Sequence, residues 1–213
     1  MYLLSKDIVF PPVHFADKEG LLAIGGDLSV ERLALAYKSG IFPWYNEGEP
    51  IIWYSPDPRM VLFPKDLKIS KSMKQIIRKE VFKVTYNQNF TEVIQNCKNT
   101  YRVGQGGTWI TDEMLKAYLK LHEKGIAKSV EVWQDDQLVG GLYGIDLGHV
   151  YCGESMFSKV SNASKIAFIN LVQMLDSQKY KLIDCQVYNN HLASLGAIEI
   201  SRSAFLKYLK NEK

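Results

Sequence analysis

The chain has 213 residues, of which 46% are hydrophobic, and its formal net charge of +3 indicates no particular class of partner for the molecule as a whole. The composition suits a soluble globule with a sizeable core, no apolar run reaches the roughly 18 residues of a membrane-spanning helix, and no signal peptide is recognisable. Cys97, Cys152 and Cys185 are an odd number without a C-x-x-C motif. We therefore expect reduced thiols in a cytoplasmic protein rather than a disulfide framework.

Residues 1–62 are predicted to form a small aromatic-rich N-terminal domain, followed by a larger domain over residues 63–213. A Gly-Gly turn precedes a predicted short helix from Val30 to Ser39. Residues 40–59 then combine prolines with a dense set of aromatic side chains. Such a segment forms either a small packed core or a rigid platform on which a base can stack.

Residues 65–83 carry seven basic and two acidic side chains, a local charge of +5 that exceeds the net charge of the whole chain. Ser70 or Ser72 can cap a helix that runs to about Lys79. Its apolar side chains face one way, and a basic stripe at i, i+3 and i+7 faces the other: Lys71, Lys74 and Arg78. The stripe is either an ordinary solvated face or a surface that contacts nucleic-acid phosphates.

The rest of the chain is typical of an α+β protein, with a central mixed, mostly antiparallel sheet flanked by helices. The predicted strands span residues 81–86, 129–133, 137–145, 149–152 and 182–187. The predicted helices span residues 91–96, 111–124, 165–178, 191–195 and 201–210, and a glycine-rich loop covers residues 104–107.

The strand at residues 182–187 places two polar side chains on one face, because strand side chains alternate. These are Asp184 and Gln186, set among apolar neighbours. Burying a lone carboxylate is costly unless it is paired or hydrogen-bonded. Asp184 is therefore either a structural residue that fixes the following loop or part of a functional site.

Several kinds of chemistry lose support from the sequence. The four histidines are scattered and no Cys/His cluster occurs, so we expect neither a metal nor any other cofactor. Nucleotide-binding and serine-hydrolase motifs are absent as well. The order of elements after residue 63 resembles the GNAT acyltransferase fold, but residues 156–163 lack the glycine turn that usually holds the CoA pyrophosphate. A CoA thioester is thus disfavoured as the acyl donor.

Eight motifs, in order and at compatible spacing, closely resemble the leucyl/phenylalanyl-tRNA–protein transferase family. They are G-L-L-A-I-G-G-D-L-S at 20–29, G-I-F-P-W-Y at 40–45, W-Y-S-P-D-P-R at 53–59, G-T-W-I at 107–110, L-V-G-G-L-Y-G at 138–144, G-E-S-M-F-S at 153–158, L-I-D-C-Q at 182–186 and H-L-A-S-L-G-A at 191–197. The resemblance implies a cytoplasmic bacterial enzyme with a GNAT-like larger domain. Its partners would be Leu-tRNA or Phe-tRNA, with Met less favoured, and proteins with N-terminal Arg or Lys, which it would mark for N-degron degradation.

The resemblance also assigns roles to individual residues. Asp184 and Gln186 would be catalytic, with Asp184 receiving the acceptor amine, and Glu154 would hold the acceptor's amine or cationic side chain. The terminal adenosine and aminoacyl group would contact Tyr37, Trp44 and Trp109. The donor side chain would occupy a pocket of Leu142, Met156, Phe168 and Ile183. Because alternation points Ile183 away from Asp184, this pocket requires a bulge or must wrap round the strand.

Two departures and two alternatives accompany this interpretation. The chain has Lys128 where the family usually has His, and it ends earlier than many members do. A CoA-dependent N-acetyltransferase is one alternative, and it predicts acetyl-CoA turnover without tRNA. A non-catalytic adaptor for tRNA or degrons is the other, and it predicts binding without peptide-bond formation.

Overall fold

In the computed structural model, residues 2–100 and 109–210 are described. A small four-stranded sheet comes first, with strand order β1-β2-β4-β3. Its strands are β1 (Tyr2–Leu4), β2 (Leu21–Gly25), β3 (Phe42–Pro43) and β4 (Ile52–Tyr54). The predicted turn at Gly25-Gly26 thus follows a strand that the sequence did not predict.

A larger, seven-stranded sheet has the order β11-β5-β10-β9-β8-β7-β6. Its strands are β5 (Arg59–Leu62), β6 (Lys83–Tyr86), β7 (Ala127–Gln134), β8 (Gln137–Asp146), β9 (Val150–Ser158), β10 (Leu182–Gln186) and β11 (Ile198–Ile200). All neighbouring strands are antiparallel except β9 and β10, which run parallel. The α+β class and the mixed, mostly antiparallel sheet are confirmed. The division after residue 62 stays a prediction, and β5, just before it, belongs to the larger sheet.

The helices are α1 (Val30–Lys38), α2 (Lys71–Arg78), α3 (Phe90–Asn99), α4 (Asp112–Glu123), α5 (Ala163–Ser177), α6 (Asn190–Ser194) and α7 (Arg202–Leu209), with short 3-10 turns at Val13–Phe15 and Pro64–Asp66. Ser29 caps α1 and Ser70 caps α2, each by accepting a backbone N–H bond. Their sequence-based bounds were close. Among the described residues, no helix has the length and apolar character needed to traverse a bilayer.

The larger sheet separates two apolar cores. Side chains of α3, α4 and α7 pack on one face together with the small sheet and α1. Helices α2 and α5 cover the other face. Met73 is the buried anchor of α2, and this leaves the basic stripe of that helix exposed, as predicted.

The parallel pair in the middle of the sheet positions the site. Strand β10 pairs with β9 only through Leu182, Ile183 and Asp184, which lie opposite residues 150–152. Strand β9 continues to Ser158, six residues past Cys152, the last β9 residue that pairs with β10. The strand predicted from the sequence stopped at residue 152. Glu154 and Met156 therefore lie on a strand, beside a gap that no strand of residues 2–100 or 109–210 fills.

Candidate active site

A cavity of about 540 Å³ occupies this gap. Its walls come from the loop around Trp44, the half of β9 that does not pair with β10, the end of β10 and one side of α5. Nine of the predicted site residues line it: Trp44, Trp109, Leu142, Glu154, Met156, Phe168, Ile183, Asp184 and Gln186. Residues far apart in sequence are thus brought to one place.

Two β-bulges aim the polar side chains of the cavity. On β9, Glu154 is the extra residue between the pairs that Gly153 and Ser155 make with β8. On β10, Cys185 is the extra residue, and Gln186 takes a positive φ of 64°. The Gln186 amide consequently donates to the Glu154 Oε1 atom at 2.8 Å. Bulges commonly redirect a side chain next to an active site, and here two of them meet.

Gly144 permits the bulge on β9. A Cβ atom at this position would lie 2.2 Å from the backbone oxygen of Cys152 and 2.6 Å from the Tyr151 ring. The backbone contact cannot be relieved by a side-chain rotation, so any larger residue must displace a strand. The glycine of the L-V-G-G-L-Y-G motif thus has a steric reason to be there.

Asp184 is fully buried and paired with Arg59. The guanidinium donates to both carboxylate oxygens, from Nε at 2.8 Å and from Nη2 at 2.7 Å. Asp184 Oδ1 also accepts the backbone N–H of Gln186 at 2.9 Å, which holds the bulge. The family resemblance predicted that Asp184 contacts the acceptor amine directly. In this arrangement neither carboxylate oxygen of Asp184 is exposed for such a contact.

Arg59 connects this carboxylate to the N-terminal wall of the cavity. Its Nη1 atom donates to the Gly40 carbonyl at 3.2 Å, and its guanidinium lies 4.9 Å from the Phe42 ring centroid and 4.7 Å from that of Phe205. Burial lowers the pKa of Arg59, but the adjacent Asp184 outweighs this effect and the net shift is upward, so the guanidinium stays charged. No local pattern in the sequence singles out Arg59, because its partner is 125 residues away.

Glu154 has a different environment. Its Oε2 atom accepts the Tyr118 hydroxyl at 3.0 Å, and no cation bonds to it among the described residues. Burial raises the pKa of Glu154 to about 8, although hydrogen bonds from Tyr37 and Tyr118 lower it. At neutral pH the carboxyl can therefore hold or release a proton with little free-energy cost.

Tyr37 differs from the prediction of a direct contact with adenosine. It is only 2% exposed and does not line the cavity. Its hydroxyl forms a short hydrogen bond with the Tyr118 hydroxyl, which in turn bonds to Glu154. In this arrangement Tyr37 supports the Glu154 carboxyl from behind rather than facing a ligand. Tyr118 was not among the site residues predicted from the sequence.

The opposite end of the cavity is apolar. Leu142, Phe168 and Ile183 are nearly or fully buried there, and Met156 packs against the same core. Ile183 and Asp184 both line the cavity, so the pocket does wrap round the end of β10. Leu171 and Leu192 also line it, although the sequence analysis did not name them. At the open side Trp44 is 40% exposed and lies 5.8 Å from the Tyr54 ring, in a tilted arrangement.

Other reactive groups fit less well with a catalytic role. Burial raises the pKa of the Cys152 and Cys185 thiols, so neither is a ready nucleophile. His191 lines the cavity, and burial lowers its pKa, as does nearby Lys165. Its Nε2 atom has no hydrogen-bond partner among the described residues. Within residues 2–100 and 109–210, no three His, Cys, Asp or Glu side chains are grouped so that they could hold a metal.

The predicted tRNA-contacting residues lie outside the cavity. Lys71, Lys74 and Arg78 are exposed on α2 and do not line it. The glycine-rich loop predicted at residues 104–107 lies outside the described residues. Trp109, just after that stretch, does line the cavity.

Comparison with known proteins supplies the family. The family model described as leucyl/phenylalanyl-tRNA protein transferase matches residues 61–210, and the model of its N-terminal domain matches residues 26–57. Leucyl/phenylalanyl-tRNA–protein transferase from Flavobacterium johnsoniae is 68% identical over 212 residues, covering 100% of both chains. The same enzyme from Flavobacterium psychrophilum is 60% identical, covering 99% of this chain and 100% of its own.

Solved structures are more distant. A GCN5-related N-acetyltransferase from Kribbella flavida is 10% identical with a TM-score of 0.41, covering 79% of this chain and 60% of its own. The L-PGS structure from Bacillus licheniformis is 13% identical with a TM-score of 0.44, covering 85% of this chain and 62% of its own. These values carry no functional argument. On the sequence matches, the chain belongs to the leucyl/phenylalanyl-tRNA–protein transferase family.

Proposed function

We propose that the protein moves Leu or Phe, and less readily Met, from aminoacyl-tRNA to the N-terminal Arg or Lys of other proteins. The product carries a new peptide bond and becomes a substrate for N-degron degradation in the bacterial cytoplasm. One observation carries this proposal: in a member of this family, a single cavity joins an apolar end to the Glu154–Gln186 pair. Cys97, Cys152 and Cys185 are not joined in disulfides, in keeping with a reducing compartment.

The donor would enter with its side chain towards the apolar end. Leu142, Met156, Phe168 and Ile183 form a surface without charge, suited to Leu and Phe. Met156 can adapt its shape to branched and aromatic side chains, because the thioether chain is flexible. Trp44 and Trp109, at the same cavity, provide flat faces on which the terminal adenine can stack.

The acceptor would bind at the polar end. Glu154 is the carboxyl that remains available there, and a carboxyl favours acceptors with a cationic group. The ester of aminoacyl-tRNA is already activated, so holding the amine against it supplies much of the rate. Gln186 would orient the amine. Asp184 would act as a positioning residue, because it fixes the Gln186 backbone while Arg59 balances its charge.

The reaction itself is testable with purified components. Incubation of the protein with Phe-tRNA and a peptide with N-terminal Arg should add one Phe residue, detected by mass spectrometry. A peptide with N-terminal Ala serves as the control acceptor. Acetylation by acetyl-CoA without tRNA would favour an N-acetyltransferase instead. Binding of tRNA or peptide without product would favour an adaptor.

The body of the tRNA would lie along α2, where Lys71, Lys74 and Arg78 are exposed on one side. Replacing all three with Ala should raise the KM for aminoacyl-tRNA and flatten its salt dependence by up to about three ions. A matched control is a second exposed triple, with Lys116 and Lys120 on α4 and Lys124 at its C-cap. A minimal aminoacyl-adenosine donor should be unaffected by either triple. Equal losses for both donors would reduce the stripe to a solvated face.

A further inference from the structure

The two carboxylates that line the cavity are not equivalent. Asp184 is 0% exposed, and its oxygens are occupied by the Arg59 guanidinium and by the Gln186 backbone. Glu154 is partly exposed, and the groups that hydrogen-bond to it are all neutral: the Tyr37 and Tyr118 hydroxyls and the Gln186 amide. An amine in the cavity can therefore reach Glu154, whereas Asp184 is buried and its charge is already balanced by Arg59.

The position of Gln186 tells where that amine would sit. Its amide nitrogen donates to Glu154, which leaves its amide oxygen as an acceptor. An α-ammonium group can therefore be shared between this oxygen and the Glu154 carboxylate. An amide has no basic atom at neutral pH, so Gln186 can orient the amine but cannot take its proton.

We propose that Glu154 accepts the proton that the acceptor α-amine loses when the peptide bond forms. The inference rests on the proposed function and deepens it. The ammonium gives one proton to the Glu154 carboxylate, and the freed lone pair attacks the ester carbonyl carbon. The bond from that carbon to the ribose oxygen then breaks, and a second amine proton passes to the leaving oxygen. One amide and one ribose hydroxyl form, and Glu154 releases its proton to water.

The environment of Glu154 suits this step. Burial brings its pKa to about 8, close to the value of about 8 for an α-amine, so proton exchange between them is nearly balanced. The complex can form in two ways, from a neutral amine and protonated Glu154 or from an ammonium and the Glu154 carboxylate. Both complexes hold the same total number of protons. The Tyr118 hydroxyl, backed by Tyr37, keeps the carboxyl oriented in both states.

The test uses two acceptor peptides that differ only in side-chain charge. One begins with Arg and the other with citrulline, its neutral isostere, and both present the same α-amine. For Glu154→Gln, we expect kcat to fall about 100-fold with both peptides, since general-base catalysis typically contributes roughly 10²–10⁴-fold. A loss confined to the Arg peptide would assign Glu154 to the acceptor's side chain and overturn the inference.

A second measurement separates proton acceptance from simple binding. The activity of Glu154→Ala should be partly restored by formate and acetate, and the stronger base, acetate, should restore more. A rise in KM with unchanged kcat, or no restoration by either acid anion, would overturn the inference. The inference would also be overturned if Glu154→Gln kept its kcat while His191→Gln lost it, because His191 would then be the proton acceptor.

Two controls protect this test. Glu131→Gln alters a buried carboxylate of strand β7 that does not line the cavity, and it should keep full kcat. Thermal unfolding of every variant confirms that the protein tested is folded. If the wild-type protein transfers Phe to the Arg peptide but the Glu154 variants behave otherwise than expected, only this inference fails. If the wild-type protein makes no product, the proposed function fails.

Discussion

Glu131 and Glu154 are carboxylates on strands of the same sheet, yet their surroundings differ in the number of donors and in access to the cavity. Glu131 is fully buried and accepts four hydrogen bonds, from the Thr85 and Ser129 hydroxyls at 2.6 and 2.5 Å and from two backbone N–H groups at 3.4 Å. Those N–H groups, of Gln88 and Asn89, lie at the start of α3, where a negative charge is favoured. Glu154 accepts from Tyr118 and Gln186 and faces the cavity.

The two carboxylates differ in how far the fold fills their capacity to accept hydrogen bonds. The fold supplies donors for all the acceptor capacity of Glu131, so this carboxylate joins β6, β7 and α3 and has nothing left for a ligand. Glu154 receives only neutral donors and is open to the cavity. Burial alone therefore does not distinguish the two carboxylates, whereas access to the cavity does.

The largest effect is expected at Asp184, which is balanced by a cation instead of by neutral donors. Arg59→Leu should destabilise the protein by about 3–5 kcal/mol, because it leaves Asp184 buried without its partner. Combining Arg59→Leu with Asp184→Leu should recover most of that stability in urea unfolding, while activity stays low because the Gln186 backbone has lost its acceptor. A single variant that cost less than about 1 kcal/mol would mean that Asp184 is not held by this pair.

Glu131→Gln should come next, with a loss of about 1–3 kcal/mol. The amide NH₂ group would face donors where the carboxylate accepted, and unsatisfied buried groups cost about this much. The folded variant should nevertheless transfer Phe at the wild-type kcat. Reduced kcat in a folded Glu131→Gln enzyme would break the comparison, because it would give the saturated carboxylate a catalytic role.

Glu154 should contribute to the pH dependence of the free energy of unfolding. Its pKa is raised from about 4.5 to about 8 in the folded protein, so the folded state holds a proton that the unfolded state has released between these values. The wild-type protein should therefore lose stability as pH rises through this window. Glu154→Gln should abolish that decline and be more stable at pH 8.5 by about 1–2 kcal/mol. Urea unfolding at pH 5 and pH 8.5 measures it, and parallel pH curves would contradict it.

The smallest effects concern single donors. Tyr118→Phe removes a hydrogen bond that lowers the pKa of Glu154, so the decline in stability should extend to higher pH. Ser129→Ala removes one of four donors to Glu131 and should shift no pH window. Each change should cost about 0.5–1.5 kcal/mol. A shifted window in Ser129→Ala would show that the decline in stability is not set by Glu154.

Much of the framework could be predicted from local patterns. The period of α2 gave its buried and basic sides, and the strand pattern of β10 placed Asp184 beside Gln186. Hydrophobic periodicity is a local property, so it can be recognised in a single sequence. The apolar pocket and Glu154 were assigned only through the family motifs. Without them, Met156 and Phe168 would have been read as ordinary core.

The parts that escaped prediction depend on distant contacts. Arg59 follows a cluster of prolines and could not be matched to Asp184 from sequence. The bulges at Glu154 and Cys185 break the alternation from which strand faces are inferred. Tyr118 fits the apolar side of α4, and nothing in the helical pattern reveals that its hydroxyl reaches a carboxyl on β9.

The strand order also dictates when the site can form as the chain folds. Strands β7 and β8, and likewise β8 and β9, form hairpins between neighbours in sequence. Such local contacts form quickly. Strand β5, in contrast, must wait for β10 and β11, which are synthesised more than a hundred residues later. Because Arg59 meets Asp184 only when these strands pair, the chain has no assembled Gln186 bulge until nearly all of it has left the ribosome. The enzyme is thus inactive throughout most of its own synthesis.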